Sequence, residues 1–166
     1  MLLLLMRMSG VIFVFWGAPS LPSLAGGVDV ARLFLKAETP ITYVIDKRQQ
    51  VTTYNTFADG EYTSLPLVLL VDSNTASASE ILSSCLQDNQ RAALVGPTPK
   101  TFGKAVIQTV EQLDDGSAVV VTIAQYQTPK RTNINQVGIS VDVQKSCPKA
   151  GADAVTCVAN ELKAVM

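Results

Sequence analysis

The sequence predicts an α/β domain on a parallel or mixed sheet, and three observations carry that prediction. Residues 67–72 (LVLLVD) and 92–96 (AALVG) are short continuous apolar runs, the pattern of strands covered on both faces. Between them Ile81, Leu82, Cys85 and Leu86 recur at helical spacing, over a helix expected from about Ser77 to Asn89. Strand, tight turn, helix and strand in that order make a βαβ unit, whose crossover brings the second strand parallel to the first. At 166 residues, 48% apolar and 16% charged, the chain has the length and composition of one folded domain.

Three regions follow from the composition: an apolar segment 1–26, a core 27–145 and a tail 146–166. Residues 1–16 (MLLLLMRMSGVIFVFW) are apolar apart from Arg7 and Ser9 and lead into a stretch of small residues and prolines. Four readings stand side by side: a secretory signal lacking a positive charge ahead of its leucines, a membrane anchor shorter than the ~20 residues of a spanning helix, a buried strand pair, and a start-site artefact of gene prediction. Any membrane association would come through residues 1–16. In the core, Val28, Ala31 and Leu35 share a helical stripe, predicting a helix from Gly27 to about Lys36. Residues 41–47 (ITYVIDK) and 49–54 (QQVTTY) read as paired strands. After the βαβ unit, 104–113 (KAVIQTVEQL) alternates, DDG turns, and 118–129 (AVVVTIAQYQTP) returns, which predicts a two-stranded ribbon protruding from the sheet. The tail from Lys145 is expected to form a short helix.

Charge and cysteine content limit the function. With 13 basic and 14 acidic residues the chain has no footprint for nucleic acid. Cys147 and Cys157 close a short loop in the tail, either as a disulfide in an oxidising compartment or as two free thiols. There is no CxxC and no histidine, which argues against a zinc site, and no cofactor is implied.

The chemistry concentrates in residues 74–96, NTASASEILSSCLQDNQRAALVG. A serine at the junction of a buried strand and a helix sits at the sheet's carboxyl edge, beside unpaired amides of the first helical turn that can stabilise an oxyanion. Ser77 and Ser79 both fit. The bland alternative is helix capping, since Ser77 and Glu80 form an S-x-x-E capping box. With no histidine in the chain, the base for such a serine must be a lysine in apolar surroundings that favour its neutral amine. Lys104 in TFGKAVIQ, between an aromatic residue and a β-branched strand, fits best; Lys47, Lys100 and Lys130 lie in polar loops.

Five ordered segments, TASASEI, LQDNQRAALVG, TFGKAVIQTV, DDGSAVVVTIAQYQTP and INQVGISVDV, resemble the carboxyl-terminal processing peptidases, or tail-specific proteases, over residues 25–145. The resemblance implies a ClpP/crotonase-like fold and a serine endopeptidase working through a Ser/Lys dyad. It implies Ser77 as nucleophile, the Ala78 amide as an oxyanion donor, Lys104 as general base and Gln108 as the residue orienting that lysine. Glu80 and Asp88 match acidic positions that support the site. The implied partner is a protein or peptide substrate with a free C-terminal tail. GVDVARLFL and INQVGIS look closest to the photosynthetic branch that matures the D1 protein, and imply an extracytoplasmic address, periplasm or thylakoid lumen.

The chain also departs from the pattern. The loop before Lys104 is longer, Ala105 replaces a glycine and Val141 a proline. PSLPSLAGG stands where the family has the glycine-rich segment supplying a second oxyanion donor, and the family's upstream PDZ domain has no counterpart. A truncated member is therefore expected. Two other classes remain: a non-catalytic peptidase homologue acting as a binding or scaffold module, and an acyl-CoA enzyme of the crotonase type.

Overall fold

The structure, a computed structural model, describes residues 4–8, 11–15 and 24–145. In chain order these form β1 (Leu4–Met8), β2 (Val11–Phe15), α1 (Leu24–Arg32), β3 (Pro40–Asp46), β4 (Val51–Asn55), β5 (Leu67–Leu70), α2 (Ala78–Asp88), β6 (Ala93–Gly96), β7 (Val106–Gln112), β8 (Ala118–Gln127) and β9 (Val143–Gln144). One sheet has the order β1-β2-β5-β6-β9 and the other β4-β3-β8-β7. The first is mixed: β1 and β2 are antiparallel, while β2, β5, β6 and β9 run parallel. The second is antiparallel throughout.

The expected βαβ unit forms, with Val68 opposite Ala93 and Leu70 opposite Val95. Leu67, Val68, Leu69, Leu94 and Val95 are all buried, as continuous apolar runs require. α2 covers them, burying Ile81, Leu82, Cys85 and Leu86. Helix α1 packs on α2 through small residues, and a Cβ added at Gly27 would lie 2.6 Å from the Ala78 carbonyl oxygen. Residues 4–8 and 11–15 form an antiparallel strand pair joined to β5. Among the described residues no helix is long and apolar enough to cross a membrane. The tail from residue 146, with Cys147, Cys157 and the expected terminal helix, lies outside the described residues.

One expectation needs correction, and one strand is an addition. Helix α1 starts at Leu24, ahead of Gly27, and stops at Arg32 rather than near Lys36. Leu35 is buried as the stripe predicted, and Phe34 with it, but their carbonyls are captured from outside. The amides of Tyr62 and Gly60 donate to the Leu33 and Leu35 carbonyls, both at 2.9 Å, and Arg91 Nε donates to the Phe34 carbonyl at 2.9 Å. Arg91 also reaches the Tyr62 and Leu65 carbonyls, at 2.7 and 2.6 Å. Those donors arrive from distant parts of the chain and compete with another helical turn. Strand β9 has no counterpart in the sequence reading, since the segment around Val143 carries too little periodicity to read as a strand.

Cys85 is fully buried inside α2, and burial together with the Asp88 carboxylate pushes its thiol well above the ordinary range. The thiolate is the reactive form. Native chain treated with iodoacetamide at pH 8 is therefore expected to leave Cys85 unmodified until it is denatured, as read by peptide mass mapping; alkylation of Cys85 in the native chain would contradict this burial.

Candidate active site

The turn from β5 to α2 is built by short-range hydrogen bonds. Asp72 Oδ1 accepts from the Asn74 amide at 2.8 Å, and the Asp72 amide donates to Thr75 Oγ1 at 3.0 Å. The chain then enters α2 through Ser77 at φ 57°, ψ −125°. A non-glycine residue held there costs about 1–3 kcal/mol and persists only when its surroundings enforce it. The same kind of strained strand-to-helix turn exposes the nucleophile of α/β-hydrolases. Ser77 is half-buried and its hydroxyl makes no cap hydrogen bond, although the capping-box arrangement is present. Ser79, the other serine left open by the sequence, is fully buried. The Ala78 amide, an orphan donor of the first helical turn, has no acceptor among the described residues.

Glu80 holds this turn against the segment that carries Lys104. It is 0% exposed, yet both carboxylate oxygens are fully used. Oε2 accepts from the Ser77 amide at 3.1 Å and the Lys104 amide at 2.8 Å. Oε1 accepts from Thr101 Oγ1 at 2.6 Å and the Gly103 amide at 2.7 Å. Four donors replace the water that a buried carboxylate would otherwise lose. The Thr101–Lys104 segment is braced from behind as well. Thr101 and Ile139 exchange backbone and hydroxyl bonds at 3.1 and 2.8 Å, and the Gln136 amide donates to the Gly103 carbonyl at 2.7 Å.

The structure differs from the sequence expectations at three supporting positions. Lys104 is exposed, and its amine has no hydrogen-bond or ion-pair partner among the described residues, so those residues do not form the apolar surroundings expected for it. Its neighbours Gly103, at φ 87°, and Ala105 are buried, while the Lys104 side chain between them stands on the open face. The neighbouring aromatic, Phe102, is itself 61% exposed. Gln108 donates to Thr122 Oγ1 across β7 and β8 at 3.3 Å, and among the described residues no hydrogen bond joins it to Lys104. Asp88 sits at the far end of α2 from Ser77, and ten residues of helix span about 15 Å. There it accepts from the Lys130 amide at 3.0 Å and lies 3.8 Å from the Lys130 amine. Its role is to hold the turn after β8.

Tyr126 is the site residue that sequence reasoning missed. It lies on β8, 2% exposed, with its hydroxyl 2.9 Å from the Ser77 carbonyl and 2.6 Å from the Lys104 carbonyl. Burial and the nearby Glu80 carboxylate push its phenol well above the ordinary range, so it stays a neutral donor at physiological pH.

Together these elements present a half-buried serine at a strained strand-to-helix turn on a mixed sheet, with an unpaired amide beside it. Residues 23–145 match the model of peptidase family S41, and the chain belongs to that family of serine-type peptidases. It is 49% identical over 120 residues to a carboxyl-terminal-processing protease of Synechocystis, covering 72% of this chain and 27% of that protein. It is 45% identical over 130 residues to the chloroplastic carboxyl-terminal-processing peptidase 3 of Arabidopsis thaliana, covering 78% of this chain and 24% of that one. Among solved structures, a photosystem II D1 C-terminal processing protease superposes with a TM-score of 0.70 at 36% identity, over 81% of this chain and 35% of that one. The chain thus spans about a quarter of the length of the curated relatives it matches.

Proposed function

We propose that this chain carries the catalytic centre of a C-terminal processing endopeptidase on a ClpP/crotonase-like core, with the β7–β8 pair as its ribbon. The observation that carries the reading is Ser77, held at a strained helix entrance with an unpaired Ala78 amide next to it. The Lys104 amine takes the Ser77 proton as Oγ attacks the carbonyl of the scissile bond. The negative oxygen of the tetrahedral intermediate accepts from the Ala78 amide, an interaction formed only as charge develops. Collapse breaks the C–N bond, and the departing amine takes the proton from the Lys104 ammonium. A water deprotonated by the same amine then hydrolyses the acyl ester and regenerates Ser77. Gln108 orients the Lys104 amine in the substrate-bound state, having donated to Thr122 in the free chain.

The substrate is a protein with an accessible carboxyl-terminal tail. The chloroplastic names of several relatives favour a thylakoid-lumen or other extracytoplasmic address. The exposure of Lys104 favours a second reading, a peptidase homologue that binds such tails without cutting them. The test is cleavage of a tailed protein, followed by mass spectrometry. Ser77→Ala and Lys104→Ala are each expected to lower the rate by about 10³-fold or more. A chain that cleaves, with both variants cutting at the unsubstituted rate, would overturn the dyad; a chain that binds the tail and leaves it intact would establish the second reading.

A further inference from the structure

We propose that Tyr126 is the positioning residue of this site, its hydroxyl holding the chain segments that carry the Ser77 and Lys104 side chains at a fixed separation. The inference rests on the Ser77–Lys104 assignment above and adds a residue to it. The hydroxyl lies within hydrogen-bond distance of both carbonyls and has a single proton. The 2.6 Å contact to Lys104 is the principal bond, with the Ser77 carbonyl sharing at 2.9 Å. The two acceptors differ in what else they have. The Ser77 carbonyl also receives the amides of Glu80 at 2.8 Å and Ile81 at 3.1 Å, whereas the Lys104 carbonyl has no other donor among the described residues. Losing the hydroxyl would therefore orphan the lysine segment and leave the serine turn with its helix bonds.

Two more bonds fix where the phenol arrives. The Tyr126 amide donates to the Ala105 carbonyl at 3.0 Å, so backbone and side chain of one β8 residue grip consecutive residues, 104 and 105. On its other side the Lys104 amide is held by Glu80. The Lys104 backbone is thus fixed at its amide by one side chain and at its carbonyl by another, and both of those side chains also hold Ser77. Such a bracket fixes the base's point of attachment while leaving its amine free to move towards a substrate. Small misplacements of reacting groups cost as much as 10²-fold in rate.

Tyr126→Phe keeps the ring and removes the hydroxyl. With a tailed peptide as substrate and Ser77→Ala as the blank, kcat is expected to fall about 10- to 100-fold while KM stays within about twofold. Native-state amide exchange should rise at least about tenfold at Lys104 and remain unchanged at Leu86 inside α2. In the unsubstituted chain, the Tyr126 hydroxyl proton should appear by NMR as a slowly exchanging resonance, a readout that needs no variant to fold. Unchanged exchange at Lys104, a higher KM with kcat intact, or a freely exchanging hydroxyl would each overturn the proposal. If the unsubstituted chain and Ser77→Ala cleave equally, the dyad assignment fails by itself, and the exchange and hydroxyl measurements still decide whether Tyr126 holds the two segments.

Discussion

Glu80→Ala is expected to destabilise the chain by about 3–5 kcal/mol, measured as a drop in its urea midpoint with an unchanged slope. The loss comes less from the missing bonds than from what they leave behind. The Ser77, Gly103 and Lys104 amides and the Thr101 hydroxyl would all face a cavity, and each unsatisfied buried donor costs about 1–3 kcal/mol. Partial hydration of the cavity offsets some of that sum. Against a typical domain stability of about 5–15 kcal/mol, the change removes a large share. Glu80→Gln should fall between. The amide nitrogen fits best near Thr101, whose hydroxyl can turn to accept, but it then meets the Gly103 amide as donor against donor. An alanine variant as stable as the unsubstituted chain would show that these four bonds contribute nothing net.

The second large effect is expected at Gly138. It has φ +74°, and a Cβ built there would lie 2.3 Å from the Thr101 carbonyl oxygen. Gly138→Ala therefore combines a left-handed backbone cost of about 1 kcal/mol with a clash against Thr101, whose amide donates to the Ile139 carbonyl and whose hydroxyl donates to Glu80. A loss of about 3 kcal/mol, or roughly 6–12 °C in Tm, is expected. Gly116 provides the control: its φ is +83°, with nothing within 4 Å of an added Cβ, so Gly116→Ala should lose only the backbone cost of about 1 kcal/mol. If calorimetry gave equal losses for the two, steric pressure on Thr101 would play no part.

The sequence disclosed what depends on local pattern. Helix α2 was legible almost to the residue, because its apolar spacing and the Ser77–Glu80 box are both short-range signals. The parallel strands beside it were legible from their unbroken apolar runs. The end of α1 was not, because the donors that stop it belong to residues 60, 62 and 91. Tyr126 was hidden for a related reason. Its partners are backbone carbonyls, which every residue type has, so no side-chain pattern announces them. The Gln108–Thr122 bond depends on the register of two strands that shifts between Ile107 and Gln108. Such a shift leaves no trace in composition.

Glu80 also sets an order of events for the newborn chain. Ser77 and Glu80 leave the ribosome almost together, but the partners that complete their hydrogen bonds are separated from them by 24 residues at Lys104 and 49 at Tyr126. Closing those loops costs entropy that is recovered only when the later segments dock. Until then the Ser77 backbone has only its local bonds, from its amide to Glu80 and from the first helical amides to its carbonyl. The complete bracket around Ser77 is therefore a late product of synthesis, closed only once residue 126 has been made.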